Sequence, residues 1–387
     1  MAGARHKRMR LQKHQIAMAD LSSAEPLPPG STIGILGGGQ LGRMLALAAA
    51  ELGLRVHIYA PEETSPAAEV AGSTTRAAYE NEAALIAFAD AVDVVTYEFE
   101  NVPGETARIL SEHAPVRPGP KALAISQDRL DEKNFLNGLG IATAPFAQID
   151  TLDDLVSALA KLGTPAVLKT RRFGYDGKGQ VKIDDPSEAA AAFDAIASAP
   201  AILEGFMPFE KEVSVIAARA LDGASAAYDV GENVHRDHIL HTTTVPAELD
   251  RAIADDARTI AERIAHGLDY VGVIGVEFFV LADGDKRQLC VNEFAPRVHN
   301  SGHWTSDACT VSQFEQHIRA IAGWPLGNPS RHSDAVMTNL IGAEADEWIA
   351  HASVPQCAVH LYGKREARPG RKMGHVTKLN PGFTKPE

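Results

Sequence analysis

The stretch Leu289–Thr305 reads LCVNEFAPRVHNSGHWT, and the rest of the chain is organised around it. Leu289–Val291 is apolar, as a buried strand requires, and Asn292 and Glu293 follow where that strand is expected to end. Arg297, His299, Asn300 and His303 then crowd into a few residues of loop bounded by proline and glycine. Just upstream, Val271–Val280 (VGVIGVEFFV) is a second apolar run with one acid, Glu277, inside it. A carboxylate on a buried strand is costly unless something pairs with it. An antiparallel hairpin turning at Asp283–Gly284 would bring Glu277 and Glu293 together. Adjacent carboxylates repel unless a cation lies between them. Oxygen donors suit Mg²⁺, which takes one or two protein carboxylates and completes its shell with substrate phosphates. The stretch therefore points to a metal–nucleotide site beside a cationic pocket.

With 387 residues, two or three domains are expected. A hydrophobic share of 45% and a charged share of 22% fit a soluble globular protein. The formal charge of −13 argues against a nucleic-acid binder, which carries a basic balance or patch. Cys290, Cys309 and Cys357 are odd in number and widely spaced, so they form neither a disulfide framework nor a CxxC knuckle, and a reducing cytoplasm is expected. No apolar run reaches the length of a membrane span. Met1–Arg10 is basic, Ser22–Gly30 is rich in serine and proline, and a signal-peptide core is missing. Residues 1–30 read as a disordered extension.

Thr32–Leu36 is a short apolar strand, Gly37–Gly42 (GGGQLG) a turn, Arg43–Leu52 an Ala/Leu-rich helix stopped by Gly53, and Arg55–Tyr59 the next strand. The turn satisfies G-x-G-x-x-G. The acid that would hold a dinucleotide's ribose is missing at Tyr59-Ala60-Pro61, which disfavours a nicotinamide or flavin site. Val92–Tyr97 is another parallel-type strand, followed by Glu98-Phe99-Glu100-Asn101. Polar residues past a strand's carboxyl end are placed for a ligand in an open α/β sheet. The same acids are equally placed to cap the helix that begins at Pro103.

Arg117–Pro120 marks a domain edge, and Ala124–Leu139 reads as one helix carrying Asp128, Arg129 and Lys133. A smaller α/β unit follows, with a helix at Leu152–Leu162 and strands at Ala166–Thr170, Gln180–Ile183 and Ala201–Glu204. Its loop, Lys169–Gln180 (KTRRFGYDGKGQ), sets three glycines in six residues among cations, which offers backbone N–H groups to an anion. A plain hairpin loop would leave that clustering unexplained, and the loop is not a P-loop, G-x-x-x-x-G-K-[ST]. Lys169, at the end of a buried strand, is placed to reach a phosphate. From Val213 the pattern turns antiparallel. Glu232–His241 reads as one extended segment, on which His235, His238 and His241 diverge too far to share a metal. Trp304 and Phe294 read as packing residues and Cys290 as an inert core thiol.

Four motifs occur in order: GGGQLGRM (Gly37–Met44), GYDGKGQ (Gly174–Gln180), NEFAPRVHNSGHWT (Asn292–Thr305) and RPGRKMGH (Arg368–His375). Together they resemble the ATP-grasp superfamily and, within it, the N5-carboxyaminoimidazole ribonucleotide synthetase family, over Ser31 to about Lys378. The resemblance implies an α/β (α+β) ATP-grasp fold. A Rossmann-like parallel-sheet domain is expected over 31–123, an ATP-grasp domain over 124–324 with its lid at about 124–207, and a small β-rich C-terminal domain over 325–387. Contacts to ATP are implied for Arg129, Lys169, the lid loop Gly174, Tyr175, Asp176, Gly177, Lys178, Gly179 and Gln180, and Asn292 and Glu293. The backbone of Glu204, Gly205, Phe206 and Met207 would bind adenine, Glu212 the ribose, and His235 would make a further nucleotide contact. Mg²⁺ would sit on Glu277 and Glu293. Arg297, His299 and Asn300 would hold bicarbonate or carboxyphosphate, with Lys169 adding charge. Aminoimidazole ribonucleotide would meet Gly39, Gln40, Leu41, Glu98, Tyr175, Asp176, Lys364, Arg371 and Lys372.

The implied activity is ATP- and bicarbonate-dependent carboxylation of that ribonucleotide in purine biosynthesis, by a cytoplasmic homodimer with no nucleic-acid or membrane partner. The nearest rival is another ATP-grasp carboxylase or ligase, such as biotin carboxylase or the formate-dependent glycinamide ribonucleotide transformylase. A dinucleotide-dependent oxidoreductase, resting on Gly37–Gly42, is more distant. The family usually continues for about another helix past RKMGH, so a trimmed C-terminal segment is expected here.

Overall fold

A computed structural model describes residues 25–174, 178–283 and 286–380. Strands β1 (Thr32–Leu36), β2 (Arg55–Tyr59), β3 (Ser73–Thr75) and β4 (Val94–Tyr97) form a parallel sheet in the order β3-β2-β1-β4. Both faces are covered, as such sheets require. Ile33, Ile35, Val56 and Ile58 pack against Leu45 and Ala49 of helix Gln40–Glu51 and against Ile318 and Ile321 of helix Gln313–Ala322. Leu36, Tyr59 and Tyr97 join Phe88 and Leu110 of helices Glu82–Asp90 and Gly104–His113.

A second sheet is antiparallel, in the order β5-β8-β6-β7: β5 (Phe146–Ile149), β6 (Ala166–Thr170), β7 (Gln180–Ile183) and β8 (Ala201–Gly205). Leu155, Leu159 and Phe193 of helices Leu152–Leu162 and Ala189–Ala195 cover it around Leu168 and Leu203. The largest sheet is antiparallel throughout. It contains β9 (Phe209–Arg219), β10 (Ser225–Ala227), β11 (Gly231–Arg236), β12 (Ile239–Val245), β13 (Gly272–Asp283), β14 (Lys286–Ala295), β15 (Asp334–Ile341), β16 (Cys357–Leu361) and β17 (Lys372–Asn380). Its order is β14-β13-β9-β11-β12-β15-β17-β16, with β10 beside β9. The β-rich C-terminal segment thus continues the central sheet edge to edge. Together the three sheets give the expected α/β (α+β) architecture, with a parallel sheet at its start and antiparallel sheets after it.

Four local expectations are corrected. The helix expected over Ala124–Leu139 is two helices, Pro120–Ser126 and Arg129–Gly138, because Asp128 takes an extended backbone and caps the second through Leu130 N–H (3.0 Å). Glu232–His241 is a hairpin, since Asp237 and His238 both have positive φ (50° and 64°), as a tight two-residue turn needs. The strand expected to stop before Asn292 runs on to Ala295, because its edge pairing with β13 continues through Glu293 and Phe294. The end of the expected N-terminal extension is pinned to the body. Leu27 N–H donates to Ala322 O (2.9 Å) and the Trp324 indole N–H donates to Leu27 O (2.7 Å). Residues 1–24, and with them most of that extension, lie outside the described residues, as do Tyr175, Asp176, Gly177, Gly284 and residues 381–387. Among the described residues no helix is long and apolar enough to cross a membrane.

Candidate active site

The register of β13 against β14 sets Glu277 directly opposite Glu293, with a bulge immediately after Glu277. Both line a cleft of about 800 Å³ bordered by all three sheets. Burial first, and the charge of Glu293 second, raise the Glu277 carboxyl to about 7. Burial also opposes ionisation of Glu293, but Arg129 outweighs it and holds that carboxyl well below the usual range. The Arg129 guanidinium donates to Glu293 (2.8 Å) and to Gly174 O (3.3 Å), at the start of the glycine loop. Two carboxylates forced together, one resisting ionisation, form an all-oxygen donor set that fits Mg²⁺.

Behind this pair lies a buried charge network. Lys133, 1% exposed, contacts Glu204 (3.2 Å) and donates to Asn292 O (2.8 Å). Lys169 donates to the other Glu204 oxygen (2.8 Å). Glu204 is ionised despite its burial, because Lys169 and Lys133 flank it. Glu132, beside them, accepts from Phe294 N–H (2.7 Å) and is raised to about 8 by burial and by Glu293. His235 pairs with Glu212 across β11 and β9. That contact outweighs burial and raises the imidazole's pKa.

The loop after β14 carries the cationic pocket. Arg297 is bidentate to Glu100 and also donates to Val298 O (3.2 Å). His299 packs against Gly275 so closely that a β-carbon there would lie 2.6 Å from its own. Its Nε2 faces Glu277 (3.2 Å), while its Nδ1 meets Ser301 Oγ (2.9 Å). Burial, then Arg297, lowers its pKa to about 3, so it is neutral. Gln313, fully buried, accepts from His299 N–H (2.9 Å) and donates to His299 O (2.7 Å) and His303 Nδ1 (3.1 Å). Asn300 exchanges amide hydrogen bonds with Asn339 of β15 (2.9 and 2.7 Å).

At the opposite wall Glu98 accepts from Gly39 N–H and from Gly42 N–H (2.7 Å). It fills the helix N-terminus where a dinucleotide's pyrophosphate would sit. A β-carbon on Gly37, whose φ is +107°, would lie 2.3 Å from the Glu98 Cγ. The glycines of G-x-G-x-x-G therefore serve an internal carboxylate.

Family models match in three consecutive segments: the ribonucleotide synthetase preATP-grasp domain over 31–127, the ATP-grasp domain over 134–314, and the phosphoribosylaminoimidazole carboxylase C-terminal domain over 335–382. The N5-carboxyaminoimidazole ribonucleotide synthase of Brucella melitensis is 58% identical over 357 residues, covering 92% of this chain and 98% of that one. The chain belongs to the N5-carboxyaminoimidazole ribonucleotide synthase family. Among solved structures, an ADP complex of a synthetase of this family is similar with a TM-score of 0.89 at 42% identity, over 93% of this chain and 95% of that one. The Aspergillus clavatus synthase, in complex with ADP and 5-aminoimidazole ribonucleotide, gives 0.85 at 30% identity, over 91% and 94%.

Most residues that the family resemblance singled out converge on the one cleft. Gly39, Gln40, Leu41, Glu98, Arg129, Lys169, Gly174, Lys178, Gln180, Glu204–Met207, Glu212, His235, Glu277, Asn292, Glu293, Arg297, His299, Asn300 and Lys372 all line it. Lys364 and Arg371 line a separate depression of about 370 Å³ with Ser65 and Glu69. Lys364 is lowered to about 8 by burial and by Arg371. The Gly205 and Phe206 amides are committed to Pro145 O and Pro165 O, so neither is spare for a base. Tyr175, Asp176 and Gly177, expected at ATP and the ribonucleotide, lie outside the described residues.

Sequence reasoning assigned no role here to Glu132, Lys133, Gln313 or Asn339. A signal existed for the last two: each is a polar residue inside an apolar-patterned element. Asp307, His360 and His375 bring possible ligand atoms within 4.8 Å of one another. The two imidazoles are stacked 4.4 Å apart at 11°, so lone pairs lying in nearly parallel ring planes do not converge on one ion. Tyr362 OH also holds His375 Nδ1 (2.9 Å), and the cluster reads as a polar brace.

Proposed function

We propose that the protein carboxylates the exocyclic amine of 5-aminoimidazole ribonucleotide with ATP and bicarbonate, in purine biosynthesis, and that the cleft residues divide the work as follows. The observation that carries the site assignment is the opposition of Glu277 and Glu293 within a cleft that also holds Arg129, Lys169, Arg297 and His299. A bicarbonate oxygen attacks the γ-phosphorus of ATP, the β–γ bridging bond breaks, and ADP leaves. The amine then takes the carboxyl carbon of carboxyphosphate, releasing phosphate and losing a proton. The first step joins anions, so its barrier falls where cations are already in place. Arg129 and Lys169 are assigned to the phosphates and Arg297 to bicarbonate, whose two oxygens match a guanidinium fork. Glu277 and Glu293 are assigned to Mg²⁺, which when bound screens phosphate charge. Neutral His299 holds a proton on Nε2 facing Glu277, so it serves as a hydrogen-bond donor at the site. Gly39–Leu41 and Lys372 are assigned to the ribonucleotide, with Lys364 and Arg371 at its far end. Three free cysteines fit the reducing cytoplasm we assign to the protein, and a homodimer completes the reading.

ADP release measured with bicarbonate and a panel of amines tests this. Strict dependence on 5-aminoimidazole ribonucleotide is expected. Turnover with biotin or glycinamide ribonucleotide in its place would overturn the assignment.

A further inference from the structure

Glu100 lies just past β4, in the N-terminal parallel sheet's domain, whereas Arg297 lies 197 residues later, in the loop after β14. Their bidentate pair is therefore a contact between separately built parts of the chain. An arginine has five N–H donors. Glu100 takes one on Nε and one on Nη2, and Val298 O takes one on Nη1. Among the described residues this leaves two, one on each terminal nitrogen. Two terminal nitrogens that each keep a hydrogen can receive a planar two-oxygen anion on the edge away from Glu100.

Glu100 is itself held. Gln127, nearly buried, donates through Nε2 to Glu100 O (2.7 Å) and Val102 O (2.6 Å), and its Oε1 accepts from Arg172 (2.7 Å) at the base of the glycine loop. The carboxylate is ionised, because its pairing with Arg297 overcomes burial. A fixed carboxylate on one edge of a guanidinium sets the plane and direction of the opposite edge.

We propose that Glu100 is a positioning residue: it orients Arg297 so that the arginine's free fork faces the cleft to receive bicarbonate. The inference rests on the function proposed above. It predicts that the bicarbonate pocket is assembled only when the N-terminal parallel sheet docks on the ATP-grasp part.

Steady-state kinetics on the full chain test it. Glu100→Gln keeps the shape but loses the charge and one acceptor. It should raise KM for bicarbonate by about 10- to 100-fold, with KM for ATP and for the ribonucleotide within about twofold of the parent. Glu100→Asp keeps the charge on a shorter arm, so its bicarbonate KM should fall between parent and Gln variant, on a protein whose melting temperature is close to the parent's. An unchanged bicarbonate KM in both variants overturns the proposal. A lowered KM does so too, since it would make Glu100 a competitor for the anion. A parallel rise in all three KM values would reduce Glu100 to a structural strut. If ADP release by the parent ignores bicarbonate, the proposed function fails first; if the parent needs bicarbonate and the variants match it, only the positioning role fails.

Discussion

Gln313→Leu isolates the brace behind His299. Gln313 is fully buried, and its amide satisfies three groups of the loop after β14: His299 N–H, His299 O and His303 Nδ1. Leucine fills a similar volume with no polar atom, so packing is largely kept and the hydrogen bonds are not. Three such bonds contribute about 1 kcal/mol each, and each orphaned buried backbone group costs about 1–3 kcal/mol. Leucine's own burial offsets part of this, leaving a net loss of about 3–5 kcal/mol. Urea unfolding followed by tryptophan fluorescence reads it, since Trp304 is in the same buried region. Freed from its clamp, His299 shifts, and a displacement of about 1 Å costs about 100-fold in turnover. A variant that loses less than about 1 kcal/mol and keeps full activity would show that something else holds the loop.

Glu293→Gln should abolish ADP release while leaving the circular dichroism spectrum intact, because it removes one of the two carboxylates proposed for Mg²⁺ and the charged partner of Arg129. Acid should weaken metal-dependent nucleotide binding through Glu277. Its folded pKa, about 7, lies above the unfolded value, so protons compete with the cation below about pH 7, and titrations of ADP with Mg²⁺ should tighten toward neutrality and then level off. His299, lowered to about 3, stays neutral across that range, so His299→Asn should leave this pH limb in place. Lys364, lowered to about 8, should take up a proton when the substrate phosphate docks. Calorimetry near pH 8 should therefore show a buffer-dependent heat that fades by about pH 6.5.

The pairing of Glu277 with Glu293 was legible because the first is an acid inside an apolar strand pattern, the second directly follows one, and a hairpin leaves few registers. Strands β6, β7 and β8 were legible as short apolar runs between glycine and proline signals, whereas β5 (Phe146–Ile149) was not expected. The Asp237-His238 turn was not, since neither residue is glycine and the alternation on either side reads as continuous. Nor was the helix break at Gln127-Asp128, where the deciding signal is a capping side chain inside a helix-compatible sequence. Glu98 stood level between ligand and cap. In the fold it caps a helix, but the one at Gly39–Gly42 rather than the one at Pro103, a distinction only the tertiary approach of β4 to β1 makes. Gln313 and Asn339 were half legible: a polar residue in an apolar pattern marks each, but their partners, His299 and Asn300, are set by the tertiary fold.

The uninterrupted run of strands from β14 to β16 has a bearing on how the chain can be cut. Ending the chain before β15 would strip the outer partner from β12 and leave its row of amides and carbonyls open over Thr242–Val245. Such a border recruits the nearest extended segment, including that of another molecule. Residues 334–380 therefore bind a seam of the central sheet as well as lining part of the cleft, and a shortened chain is expected to come out of solution rather than persist as a smaller enzyme.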